Sequence, residues 1–473
     1  MTGSNQAGSR HAAWVNDENA ALFTDLYQLT MLQSYFEEGL EETAVFDLFA
    51  RRLPAQRNFL IAAGLDDFLH YLETFRFGAE SLHYLAALNL FSREFLDRLA
   101  EFRFAGDVYA VREGTPVFAN QPIVEVVAPL PQGQLVESFA LNQIHFQTLA
   151  ASKAFRVVEA AQGRSVVDFG ARRMHGCDAA MKAARAFFIA GVEATSNLLA
   201  GKTYGIPVSG TMAHSHVEAH DEEMEAFEGF NRTFPGTVLL VDTYDTLQGV
   251  RKVVELAHRL GDEFQVKAIR LDSGDLAELA RQARRILDEG GLERVGIFAS
   301  SSLDEEAITD LLRRKAPIDG FGVGTRMGVS QDAPCFDSAY KLVEYSGSGR
   351  MKLSKNKSAL PGRKQVFRRI ANGRAAGDVI ARQDEKLEGR PLLEMVMRQG
   401  QRLPAGQVSL QQSREHCRRE LELLPSQLRS LRPAEHPYPV EISAALAADR
   451  DELRLKLSQT RDGKPQRHKD TEG

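Results

Sequence analysis

Apolar positions along this chain change their period near residue 150. Before that point, in ALFTDLYQLTMLQSYFEEG (21–39), Leu22, Leu26, Leu29, Leu32 and Phe36 recur at helical spacing and predict one buried face. TAVFDLFAR (43–51) reads as a strand, and DVYAVREGTPVFANQPIVEVVAP (107–129) as β-hairpins punctuated by glycine and proline. Beyond it, short β-branched runs alternate with amphipathic helices. SVVDFGAR (165–172), YGIPVSGT (204–211), TVLLVDTYD (237–245), VKAIRLDSGD (266–275) and VGIFASSS (295–302) each precede a helical stretch, and IDGFGVGT (318–325) follows them. Such units imply parallel strands covered by helices, an α/β fold. Their short apolar strands favour an irregular TIM-like barrel over an open sheet. The pattern divides the chain into a flexible lead (1–20), an α+β domain (21–150), the barrel (151–340), a basic region that packs back on the first domain (341–460) and a disordered tail (461–473).

Polar residues collect where the barrel strands end. Asp168 and Arg172 follow one strand, Thr211 and His214 the next, then Asp242 and Asp245, Arg270 and Asp272, Ser300 to Ser302, and Gly322 to Thr325. The C-terminal rim of a barrel builds the active site, and the opposite rim serves stability. Helix capping explains a single aspartate or serine in such a place, but a run of consecutive strand ends points to a shared site.

Bulk composition narrows the classes of partner. The 473 residues are 43% hydrophobic and 26% charged, with a net charge of −6. That balance gives no bulk attraction to nucleic acid or anionic membrane, so any bound anion must meet a local positive site. Three scattered cysteines form no disulfide framework, the start lacks the apolar core of a signal peptide, and no run approaches the roughly 20 apolar residues of a membrane span. The expectation is a cytoplasmic enzyme.

Several rim segments carry candidate chemistry. Glycines 320, 322 and 324 with Thr325 form a candidate phosphate nest; the alternative is a ligand-free tight turn, and the spacing is not a dinucleotide fingerprint. Arg270 has the planar fork that holds a carboxylate or phosphate. Asp272 and Asp242 suit sugar hydroxyls or water-bound Mg²⁺, and a structural ion pair between strand ends is the plainer reading. Phe169 offers a face for a flat ring, with Arg172 or Arg173 for an acid group; otherwise it is a core phenylalanine beside solvated arginines. In GTMAHSHVEAH (210–220), His216 and His220 share a helix face while His214 precedes the helix, so the three do not make a metal-ligand set. His214 stands apart because it ends a strand at the rim.

Taken together, the motifs FTDLYQLTM (23–31), DFGARR (168–173), EATSNLLAGK (193–202), GTMAHSH (210–216), VDTYD (241–245), IRLDSGDL (269–276), FGVGT (321–325) and KLSKNKSALPGRKQVFR (352–368) make the chain resemble the nicotinate phosphoribosyltransferase family. The resemblance implies that nicotinate and 5-phosphoribosyl 1-diphosphate yield nicotinate mononucleotide and diphosphate. It also implies ATP hydrolysis through a phosphohistidine, matched here by His214, with Mg²⁺ as cofactor. It implies an irregular α/β barrel beside an α+β domain built from the N-terminal region and part of the C-terminal region. The family's active site lies at a homodimer interface, with Tyr27 reaching in from the neighbouring subunit. By motif, Tyr27 and Phe169 sandwich the pyridine ring, Arg270, Thr211 and Arg172 fix the carboxylate, Asp242 and Asp272 meet ribose hydroxyls or Mg²⁺-bound diphosphate, and Gly322, Gly324 and Thr325 hold the 5-phosphate. His214, Asp272 and Arg270 are the residues implied for catalysis. Glu193 replaces the aspartate of many relatives, an acid placed to influence ring recognition. The rival readings are a nicotinamide or quinolinate phosphoribosyltransferase, a non-catalytic metabolite-binding barrel, and a metal-dependent barrel hydrolase.

Overall fold

Two sheets organise the chain. The computed structural model describes residues 14–353 and 359–462. Residues 1–13 of the lead, 354–358 of the lysine-rich motif and 463–473 of the tail lie outside the described residues. A seven-stranded antiparallel sheet places Thr43–Arg52 between Asp337–Tyr345 and Pro122–Pro129, and Asp107–Val111 between Pro122–Pro129 and Leu393–Arg398. Strands from beyond residue 336 thus pair with strands from the first third of the chain.

The second sheet has six strands in the spatial order Ala194–Thr195, Ser165–Asp168, Gly320–Val323, Gly296–Ala299, Ala268–Leu271, Val238–Leu240. Every pairing in it is parallel. It makes half a barrel. YGIPVSGT is not a strand: Val208 contributes one isolated parallel bridge to Thr195, and Pro207, with no N–H to give a ladder, stands beside it. The strand of that unit is instead Ala194–Thr195, and among the described residues no ladder joins Val208 to Val238–Leu240.

The helix Glu137–Ala160 links the two cores. Ala140, Ile144 and Leu149 belong to the apolar cluster of the antiparallel sheet, with Phe46, Leu48, Phe68 and Val126. Ala150, Ala154, Phe155 and Val157 belong to the cluster around the parallel sheet, with Val166, Leu239, Ile269, Ile297 and Phe321. Earlier, the helix Leu26–Glu38 stops at Gly39, whose φ of 69° suits glycine. It buries Leu29 and Leu32, but Leu26 is exposed and Leu22 lies before the helix, so the predicted apolar face is only partly inward. Among the described residues no helix is long and apolar enough to cross a membrane.

Candidate active site

The C-terminal ends of the parallel strands bring most of the expected residues into direct or second-neighbour contact. Asp242 follows Val238–Leu240 and is buried. Its Oδ2 accepts from the Asp272 backbone N–H at 2.8 Å and from the Ser273 hydroxyl at 2.7 Å. Its Oδ1 is buried and has no donor. Asp272 follows the neighbouring strand, and its Oδ1 accepts from Ser300 at 2.5 Å, so three successive strand ends are joined. His214 opens the short helix His214–Glu218. Its Nδ1 lies 3.1 Å from the Thr243 hydroxyl, and its Nε2 is 3.8 Å from Asp272 Oδ2. Thr243 was not singled out from sequence; its place between Asp242 and the helix start was the available signal.

Arg270 projects from the strand beside Phe298, its register partner. Its Nη1 donates to Thr211 Oγ1 at 2.5 Å, and its Nε is buried without an acceptor. Burial pushes the guanidinium pKa down, opposed by the Asp272 and Asp242 charges, and Arg172 adds a like charge that lowers it further. Phe169 packs its ring 6.1 Å from that of Phe298. A Cβ on Gly322 would stand 2.4 Å from Phe169 Cε2 and 3.0 Å from Phe298 Cε1. Gly322 is thus a strand residue whose bare α-carbon makes room for two aromatic rings, rather than a turn residue. Gly324 and Thr325 do leave the strand: Gly324 precedes the four-residue helix Thr325–Gly328 and lies against the Phe169 carbonyl. Asp168 is held by the Gly170 N–H and the Thr195 hydroxyl, each at 2.8 Å, while burial raises its pKa against those bonds.

Other expected residues fall elsewhere. Tyr27 is half exposed, with its hydroxyl 3.4 Å from Glu137 and accepting from Gln28 at 2.8 Å. It lines an open cavity of ≈ 550 Å³ with Phe23, Glu137, His145, Phe146 and Ser338, none of them a rim residue. Arg172, by contrast, stays near the rim, exposed in a single 3-10 turn after Ser165–Asp168 and close enough for its charge to act on Arg270. Glu193 accepts from Ser165, the first residue of its strand, so it sits at the N-terminal end of the sheet, away from the rim. The helix expected after His214 is broken: it ends at Glu218 and resumes at Glu223, leaving His220 between the pieces, its Nδ1 on the His216 carbonyl. Asp245, expected at the rim, is a helix cap, as are Asp275 and Asp304.

Comparison with known proteins agrees with this geometry. The nicotinate phosphoribosyltransferase N-terminal domain model matches residues 22–145, the family model residues 164–351, and the C-terminal domain model residues 386–450. A nicotinate phosphoribosyltransferase of Mycobacterium tuberculosis is 54% identical over 434 residues, spanning 92% of this chain and 94% of its own length. That of Bacillus subtilis is 42% identical, spanning 80% and 79%. The crystal structure of human nicotinic acid phosphoribosyltransferase superposes with a TM-score of 0.81 at 27% identity, covering 91% of this chain and 99% of that one. Matched from end to end of its described sheets, the chain belongs to the nicotinate phosphoribosyltransferase family.

Proposed function

We propose that the chain transfers the phosphoribosyl group of 5-phosphoribosyl 1-diphosphate to nicotinate, coupled to ATP. The observation that carries this reading is Arg270. One guanidinium nitrogen is satisfied by Thr211, and its Nε, buried on the strand next to that of Phe298, lacks an acceptor. A planar carboxylate supplies that acceptor. The amide of nicotinamide presents an NH₂ donor on one side, which a donor-only guanidinium does not bond. Phe169 offers the ring face, and Arg172 adds positive charge at the mouth.

In the transfer, the lone pair of the pyridine nitrogen forms a bond to ribose C1 while the C1–O bond breaks and diphosphate leaves with that electron pair. No general base is needed. Asp242 Oδ1, buried without a donor, is suited to accept a ribose hydroxyl. No group of three or more His, Cys, Asp or Glu that could hold a metal occurs among the described residues. Mg²⁺ commonly binds through one or two carboxylates plus substrate phosphates; Asp242 and Asp272 fit that role, and the ion supplies charge neutralisation on the leaving diphosphate. Gly324, Thr325 and the serines after Gly296–Ala299 face the phosphates.

His214 is the proposed acceptor of the ATP γ-phosphoryl group. With Nδ1–H donated to Thr243, the Nε2 lone pair is free to attack phosphorus. The N–P bond forms, the bond to the bridging oxygen breaks and ADP leaves; hydrolysis then restores the imidazole. In the same reading the half-barrel is the centre of an irregular TIM-like barrel (151–340), with a second α+β domain from 21–150 and part of 341–460. Two copies pair so that Tyr27 of each reaches the other's rim, a role supported by the exposed apolar group Phe23, Leu26 and Tyr27. The three free thiols suit a reducing cytoplasm. Initial rates with nicotinate and with nicotinamide, each with and without ATP, test the reading; preference for nicotinamide would overturn it.

A further inference from the structure

The loops after two neighbouring strands, Gly296–Ala299 and Gly320–Val323, share a buried ionic anchor. Asp304 caps the helix Glu305–Arg313 through Oδ1 and binds Arg326 Nη1 through Oδ2 at 2.7 Å, clipping one loop to the other. Glu305, the first residue of that helix, is 2% exposed. Its Oε2 accepts from Lys153 Nζ at 2.5 Å and its Oε1 from Arg156 Nε at 2.8 Å. The same Lys153 ammonium lies 2.7 Å from Asp332 Oδ1, at the end of the second loop, and Arg57 Nη1 is 2.5 Å from Asp332 Oδ2.

A single ammonium therefore ties both loops to the helix that joins the two cores. Burial resists ionisation of Asp332, yet hydrogen bonds from Arg57 and Lys153 hold its carboxyl well below the usual carboxylate range. Burying a lysine is costly unless its partners are well placed, so this pairing fixes geometry more than it adds stability. Ser301 and Ser330, with φ of 110° and 44°, show non-glycine backbone held in the left-handed region in the two loops that the anchor joins. Arg57, Lys153 and Arg156 face the carboxylates of Glu305 and Asp332, which leaves an excess of positive charge behind the loops.

We propose that Lys153 is a positioning residue for phosphoribosyl diphosphate: it sets the spacing of loops 300–304 and 324–332, so that both face the phosphates together, and touches no substrate itself. The inference rests on the phosphoribosyl-transfer reading. Lys153→Met in the full chain is expected to raise the KM for phosphoribosyl diphosphate roughly tenfold, since small displacements of binding groups are felt strongly. The KM for nicotinate should change by less than about twofold, and Lys153→Arg, which keeps the charge in a bulkier group, should recover part of the loss. Where Lys153→Met does not fold, Asp304→Asn, at the less buried clip, is expected to give a smaller rise with the same selectivity. Folded variants with unchanged phosphoribosyl diphosphate KM, or with both KM values rising together, overturn the proposal. Calorimetric binding of inorganic diphosphate separates this failure from that of the function. A wild-type chain that binds diphosphate in a Lys153-dependent way but never modifies nicotinate keeps the anchor and sinks the transfer reading. One that turns over normally while binding diphosphate independently of Lys153 does the reverse.

Discussion

Gly322→Ala tests the aromatic floor of the site directly. The added methyl would lie 2.4 Å and 2.5 Å from two carbons of the Phe169 ring. A comfortable carbon–carbon contact is about 3.5 Å, so the ring must retreat by about 1 Å. Phe169 is only partly buried, whereas Gly322 is locked in a strand hydrogen-bonded on both sides, so the ring moves and the strand stays. Overpacking of this kind costs about 1–3 kcal/mol, and a displaced ring forfeits stacking worth about 0.5–1.5 kcal/mol. At about 1.4 kcal/mol per tenfold, the nicotinate KM should rise between about 2-fold and 10-fold. The KM for phosphoribosyl diphosphate should move much less. Steady-state kinetics with each substrate varied in turn measures both, and circular dichroism confirms that the variant is folded. In a Phe169→Ala background only the 3.0 Å approach to Phe298 remains, so the second substitution should add much less than it does alone. Unchanged nicotinate KM in folded Gly322→Ala, or fully additive losses in the double variant, would refute the reasoning.

Three further outcomes follow from the same geometry. His214→Ala should abolish both stimulation by ATP and acid-labile phosphate on the protein, while slow ATP-independent transfer persists; labelled ATP measures the first two, and labelling equal to wild type excludes His214. Arg270→Gln should raise the nicotinate KM by roughly tenfold or more, the value of a charge-assisted hydrogen bond of about 1.5–3 kcal/mol, and narrow the preference over nicotinamide. Glu125, opposite Asp47 across two strands, has its pKa pushed up to about 7 by burial and by the Asp47 charge, with Arg363 and Lys364 opposing. The folded chain therefore favours its protonated form: that contribution is complete below the ordinary carboxylate range and is lost as pH rises through the raised folded-state value. Glu125→Gln should flatten urea-melt stability across that window, and an unaltered pH slope would contradict the assignment.

The sequence made some parts of this site legible and hid others for physical reasons. Runs such as KAIRL and GIFAS announce buried parallel strands because both faces are covered; Asp242 and Asp272 follow their strands by the one or two residues that place them on the rim, and Arg270 is the next-to-last residue of its own. Ala194–Thr195 is too short to show a period, so the apolar YGIPV was read as the strand in its place. Phe298 carries no signal in the sequence; its place beside Arg270 and against the Phe169 ring comes only from strand register and packing. Gly322 reads from sequence as part of a phosphate nest, because a sequence does not distinguish a glycine that lets an anion approach from one that makes space for rings. Lys153 and Glu305 are separated by 152 positions, and no local pattern foretells that pairing. Glu193 shows the opposite limit: motif position suggested a role at the ring, but its hydrogen bond to Ser165 sets it at the far end of the sheet.

The unpartnered Nε of Arg270 is proposed to select a carboxylate on the pyridine ring, and His214 to link the transfer to ATP. Product formation from phosphoribosyl diphosphate with equal nicotinate or nicotinamide, with and without ATP, tests it most directly. Nicotinate mononucleotide is expected as the dominant product, at a rate that ATP increases. Equal or greater conversion of nicotinamide would contradict it.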